Sequence, residues 1–402
     1  MRRRNSYSYK GSYGKGYRRS SYRGYGSYGD YGRNNHSSLK IIIIILICLL
    51  LAGGGVFAAA YFGLFGDSFR IGKEPEKSVL TSKSESSAQV SKAQNSEKKK
   101  EKEPVGKWIE NVYLYGTNAF EPFNEYQNAS KEYAKTINSV RKELDSSINI
   151  YTILAPSHSL TGLPDKYRSQ IGSDEKKSIE NIYAAIDKKI RCINVCDTLQ
   201  KHSGEYTYFR TDTNWTALGA YYAYEQFCKS AKTDCIDLKK LESGKIDGFK
   251  GSLFAATVTD EKPDGNDVLA QNPDSVIYYK TNGYCRLLEN GESEDREVTM
   301  IAEFASGSNA YSAFIWGNNP YMKIETDIET DRKLCIIKDS FGCAFAPFTA
   351  TAFKEVFIVD PAYYEGNVLD YIKENNYTDV LFLNSSSSAN TLERVNELKT
   401  IL

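Results

Sequence analysis

Histidine is nearly absent: the 402 residues hold only His36, His158 and His202. That excludes a histidine-built metal centre, which needs several imidazole or thiolate ligands at close spacing. It also leaves few groups able to exchange a proton near neutral pH. Net charge is absent in sum, with 51 Lys/Arg against 51 Asp/Glu, but the charge is unevenly spread. Residues 1–40 carry ten Lys/Arg and one acid, whereas residues 106–402 carry 32 basic and 43 acidic side chains. An acidic body repels a polyanion, which excludes a nucleic-acid-binding domain. Of the eight cysteines, Cys48 falls in an apolar run and seven follow it. An odd number gives no closed disulfide framework, and a chain this long can build a core without one. Cys228 and Cys235 can bridge if the chain turns between them, and Cys192 and Cys196 are also close. No spacing matches a metal site, and no cofactor is expected.

Long charge-free runs are rare in soluble chains, and there is one here. Ile41 to Phe65 spans 25 residues without a charge. At about 1.5 Å per residue such a helix crosses a hydrocarbon layer of roughly 30 Å with some tilt. Ten basic residues precede it, which predicts a cytoplasmic N-terminus and a large C-terminal domain outside the cell. The expectation is a single-pass cell-membrane anchor. A cleaved signal peptide ending near Ala58-Ala59-Ala60 is the rival, set against the long arm and the long run. Residues 1–40 hold eight Tyr, eight Ser and seven Gly among Arg and Lys. They lack the aliphatic residues of a core and are expected to be a disordered basic cytoplasmic tail. Residues 66–105, rich in Lys, Glu and Ser, are expected to be a charged disordered linker.

From residue 106 onward helical and strand-like stretches alternate. A helix is expected over 123–145, a strand over 148–154 and a helix over 174–189. Another helix is expected to begin at Asp212, with that residue as N-cap. Region 244–330, with Gly, Asp and Asn clusters and strands expected at 275–280 and 311–316, reads as a β-rich insertion. The remainder reads strand 334–337, helix 341–352, strand 356–359, helix 366–375, strand 380–383 and helix 389–401. Repeated β-α-β units predict an α/β fold, a parallel sheet flanked by helices. Sites in such sheets gather at the carboxyl ends of strands. There stand Asp339-Ser340-Phe341-Gly342, Asp360-Pro361-Ala362-Tyr363-Tyr364 and Asn384. A serine at a strand-to-helix turn presents its hydroxyl beside free backbone amides.

These segments, together with Ala155-Pro156-Ser157 and the block Arg210-Thr211-Asp212-Thr213-Asn214-Trp215-Thr216, resemble the DHHW family of bacterial surface proteins. That family is in turn similar to the alginate O-acetylation proteins. The resemblance covers most of residues 108–402. It implies an SGNH-hydrolase-like (flavodoxin-like) domain and a triad in which the motif's aspartate orients its second histidine and that histidine activates a serine. Carried over, the triad positions are Asp212, Asn214 in place of histidine, and Ser340. Trp215, Asp339, Tyr363, Tyr364 and Asn384 are the expected substrate-binding residues. The sequence departs where it matters: the motif reads Asp212-Thr213-Asn214-Trp215, and Ala362 stands where related sequences typically show arginine. An asparagine amide can orient a hydroxyl but has no usable basicity. His158 and His202 are the possible substitute bases.

Three functions are therefore open. One is a catalytically impaired surface protein that binds cell-surface polysaccharide or an envelope partner. Another is an active polysaccharide O-acetyltransferase or acetylesterase using Ser340 with a relocated base. The last is a structural envelope protein.

Overall fold

The computed structural model describes residues 104–402. The expected tail and membrane span, and all but the last two residues of the expected linker, lie outside the described residues. Among the described residues, no helix is long and apolar enough to cross a membrane.

Three short strands open the described chain as an antiparallel sheet: β1 (Lys107–Ile109), β2 (Val112–Tyr115) and β3 (Asn118–Phe120). The main sheet follows from β4 (Asn149–Ala155) and β5 (Arg191–Cys192). β6 (Ser243–Phe249) and β7 (Asp274–Tyr279) form a separate antiparallel pair. β8 (Tyr284–Leu288), β9 (Arg296–Val298), β10 (Tyr321–Glu325), β11 (Lys333–Lys338), β12 (Glu355–Val359) and β13 (Asp379–Ser385) return to the main sheet. Its order is β5-β4-β13-β11-β12-β10-β8-β9. The first five strands run parallel, and β10, β8 and β9 add antiparallel to the β12 edge.

The sheet is therefore mixed where a parallel one was expected, and the region 244–330 is the reason. Rather than standing apart as an insertion, it supplies all three antiparallel strands of that sheet, β8, β9 and β10. The pattern of β8 and β10, buried at alternate residues, suits the outer part of a sheet. β11, β12 and β13 are buried almost throughout, as central parallel strands are.

The principal helices are α1 (Gln127–Glu143), α2 (Glu175–Ala185), α3 (Ala217–Ala231), α4 (Phe341–Thr349), α5 (Val368–Glu374) and α6 (Leu392–Thr400). Two cores form, one on each face. Tyr151, Ile153 and Ala155 of β4 join α3 and α4 on one face. Ile150 and Leu154 of the same strand join α1, α2, α5 and α6 on the other. The period-two alternation of a strand thus sorts its neighbours into opposite layers.

Two elements differ from the sequence reading. α3 starts at Ala217 and is capped by Thr216, whose hydroxyl accepts from the Gly219 amide. Asp212 cannot cap it, because its carboxylate is committed to nearer amides. Residues 307–313 are a 3₁₀ helix, and only Phe314 makes a strand-like bridge, to Ile301. Ile315, Trp316 and Gly317 then adopt left-handed backbone, which no strand can contain.

Candidate active site

The serine is delivered by the end of β11. After Lys338 the chain turns at Asp339-Ser340 and enters α4, with Ser340 already at φ −54° and ψ −29°. The Asp339 carboxylate fixes this turn, accepting from the Phe341 amide (3.1 Å) and from the Ser385 amide at the end of β13 (2.6 Å). Burial raises the Asp339 pKa, and those amides oppose the shift. Two side chains hold the next carbonyls. The Tyr311 hydroxyl donates to the Ser340 carbonyl and the Trp215 indole N–H to the Phe341 carbonyl, both at 2.8 Å. Gly342 is required by close approach, since a Cβ there would lie 2.4 Å from the Lys338 Cβ. Under the turn, the buried Lys338 ammonium donates to Asp360 and to Asn318, both at 2.9 Å. Burial alone would lower the lysine pKa, but the adjacent Asp360 carboxylate raises it above the ordinary range and keeps it charged.

Opposite the serine lies the segment 210–215. It is held by Asp274 at the start of β7. One carboxylate oxygen of Asp274 accepts from the Arg210 amide (2.9 Å) and the Tyr206 hydroxyl (2.6 Å). The other accepts from the Thr211 amide (2.7 Å) and hydroxyl (2.5 Å). Asp212 is wholly buried. Its Oδ1 accepts from the Asn214 amide (2.9 Å) and from the Asn214 side-chain Nδ2 (2.8 Å), and its Oδ2 from the Ser252 amide (2.8 Å). Asn214 Oδ1 in turn accepts the hydroxyl of Ser340 at 2.9 Å.

The chain Ser340–Asn214–Asp212 therefore has the connectivity of a serine–base–acid relay with an amide as its middle member. The serine is oriented and its proton has an acceptor, but the acceptor cannot take the proton away.

Neither remaining described histidine fills the gap. His158 sits between Phe120 (ring centroids 4.6 Å apart) and Tyr208 (5.1 Å, stacked). Its Nδ1 is buried without a hydrogen-bond partner, and burial lowers its pKa to about 3. His202 lies over Tyr222 at 3.8 Å and pairs with Glu205 at 2.7 Å. The Ser340 hydroxyl is bonded to Asn214 and to neither of them.

The expected binding residues divide. Trp215 has no solvent exposure, so it braces the serine turn and offers no stacking face. Asn384 is buried and its Oδ1 accepts from the Tyr133 hydroxyl at 2.9 Å. Asn384 and Asp339 line a small pocket together with Asp360, Ala362 and Arg394. Tyr363 and Tyr364 line a surface groove of about 710 Å³ between the end of β12 and α6, with Glu365, Leu392, Glu393 and Glu397. Pro361, Ala362 and Glu397 are shared by both. Arg394, bonded to Glu397 at 2.8 Å, brings a guanidinium to the pocket that Ala362 also lines.

Sequence reasoning missed four contributors: Glu121, Asp274, Tyr311 and Arg394. Glu121 follows β3, and its backbone carbonyl accepts from the Ser159 hydroxyl at 2.5 Å. Burial first, then the carboxylates of Glu175, Asp212 and Asp339, raise its pKa to about 8. Nothing local marks these residues, since each reaches the site through long-range packing.

Comparison with known proteins agrees with this architecture. The DHHW protein profile matches residues 72–359. A DHHW family protein from Eubacterium siraeum is 28% identical with a TM-score of 0.67, covering 75% of this chain and 99% of that one. Bacillus cereus PatB1, solved with a sulfonyl adduct, is 16% identical with a TM-score of 0.57, covering 71% and 96%. The O-acetyltransferase domain of Pseudomonas putida AlgJ is 13% identical with a TM-score of 0.42, covering 74% and 98%. No curated protein matches the chain. With the profile spanning more than half of its length, the chain belongs to the DHHW family.

Proposed function

We propose that this chain is a membrane-anchored surface protein whose SGNH-like cleft binds cell-surface polysaccharide or an envelope partner, with serine catalysis impaired. The single observation that carries the reading is Asn214 Oδ1 at 2.9 Å from the Ser340 hydroxyl, where a base is required. In serine hydrolases loss of the histidine costs on the order of a millionfold in turnover. The groove at Tyr363 and Tyr364 and the adjoining pocket at Asp339 and Asn384 supply the binding surface in this reading.

The test is acetyl-ester hydrolysis together with labelling by a sulfonyl fluoride, a reagent suggested by the adduct in the PatB1 structure. The wild-type chain is expected to show neither turnover nor label that Ser340→Ala removes. Asn214→His is expected to gain both. Serine-dependent turnover in the wild type would overturn the reading.

One observation favours a second reading, an active O-acetyltransferase or acetylesterase with a relocated base. Burial, then the charges of Glu175, Asp212 and Asp339, push the Glu121 carboxyl up to about 8, which places it within electrostatic reach of the acid of the Ser340–Asn214–Asp212 chain. Under that reading wild-type turnover exists, rises through the titration of Glu121 and disappears in Glu121→Gln.

A further inference from the structure

We propose that Cys228 and Cys235 are a disulfide-forming pair that closes the end of α3 when the chain meets an oxidising environment. Both are thiols in the structure, close enough for each to shift the other's pKa. The contact is built by the backbone. After Ala231, Lys232 takes left-handed backbone (φ 55°, ψ 47°) and its N–H donates to the Cys228 carbonyl. The Thr233 amide donates to the same carbonyl at 3.1 Å. The chain thereby reverses and runs back along the helix. The Tyr221 hydroxyl then donates to the Ile236 carbonyl at 2.8 Å. Residues seven apart share a helix face, so Tyr221 and Cys228 present the same side to this returning segment. With Ile236 fastened at Tyr221, Cys235 is left beside Cys228.

Accessibility assigns the order of events. Cys235 is exposed and Cys228 is buried. The Cys235 thiolate attacks a small-molecule or protein disulfide, forming a mixed disulfide and releasing one thiolate of the oxidant. The Cys228 thiolate then attacks the Cys235 sulfur and releases the second. Two protons and two electrons leave the cysteine pair, and the oxidant becomes two thiols. Partial enclosure of its sulfur first, then the Cys228 sulfur, raises the Cys235 thiol to about 12, so the exchange quickens as pH rises. The bridge ties down the helix whose Tyr224 and Phe227 pack on Phe345 of α4, the helix that begins at the serine turn. Among the other described cysteines, Cys335 and Cys343 are shut in the core.

The test uses the full-length chain, treated with oxidised glutathione at mildly alkaline pH, unfolded, blocked with N-ethylmaleimide and mapped by mass spectrometry. One cross-linked peptide pair joining Cys228 to Cys235 is expected, with two hydrogens lost and Cys192, Cys196, Cys285, Cys335 and Cys343 alkylated. Reductant is expected to lower the wild-type melting temperature by several degrees and to leave that of the Cys228→Ser/Cys235→Ser variant unchanged. Alkylation of both cysteines after oxidation, or Cys235 bridged to another cysteine or a second chain, overturns the proposal.

Discussion

The proposed impairment rests on a single side chain. Asn214 keeps both hydrogen bonds that its position demands, accepting from Ser340 and donating to Asp212. Under the proposed function that geometry serves Asn214→His as well, and basicity is what the variant adds. That variant is expected to raise acetyl-ester hydrolysis by at least tenfold, as a positioned general base does, with Ser340→Ala abolishing the gain. An initial-rate assay decides it. His158 gives a second residue-scale expectation. Its pKa falls from an ordinary value of 6.5 to about 3 because its ring is buried between Phe120 and Tyr208. The unfolded chain takes up a proton there below about pH 6.5 and the folded chain does not. The contribution is fully present above that pH and is lost as pH falls toward 3. His158→Phe is expected to flatten the acid side of the stability curve, measured by urea unfolding at pH values across that window. That Asn214 would adjoin Ser340 was legible in the sequence, because Asp212 and Trp215 frame it. The fate of His158 was not, because its partners Phe120 and Tyr208 lie far from it along the chain.

Elements were legible wherever burial imposes a simple period. β4, β11, β12 and β13 fall where apolar runs predict them, because central strands are covered on both faces and need no polar residue until their ends. Helix starts were harder to read. Asp212 has the chemistry of a cap, yet its carboxylate is drawn to the Asn214 and Ser252 amides, and Thr216 caps α3 instead. The turn after β11 shows what that arrangement secures. Trp215→Phe removes the indole donor from the Phe341 carbonyl. Losing that buried side-chain hydrogen bond costs about 0.5–1.5 kcal/mol, which should appear as a lower denaturant midpoint. Lys338 and Asp360 beneath it are almost fully enclosed, with side-chain exposures of 2% and 6%. Asp360→Asn strands the ammonium without its counter-ion. Breaking such a pair is expected to cost about 3–5 kcal/mol, and the added change Lys338→Met should recover much of it. A double-mutant cycle by chemical unfolding measures both.

On the scale of the whole domain, region 244–330 was misread because composition does not reveal which sheet edge a strand joins. It is not appended to the fold. It supplies Asp274, which pins the Arg210–Thr211 segment, and Tyr311, which holds the serine turn, so the cleft depends on this region packing against the main sheet. That closure also gathers carboxyls. Burial raises the pKa of Glu121 to about 8 and raises those of Glu175 and Asp339 as well. For an acid whose folded pKa is raised, both states are protonated at low pH and stability is at its fullest. As pH rises past the ordinary value of about 4.5, the unfolded chain releases its proton while the folded chain retains it, so stability declines until the folded group itself titrates. For Glu121 the decline spans about pH 4.5 to 8. The neutral variant Glu121→Gln removes its share of that slope, so the variant should gain stability relative to wild type as pH is raised through the window and match it below. Thermal unfolding of both proteins at matched pH values tests this, and a constant offset between the two curves would show that Glu121 is not the titrating group.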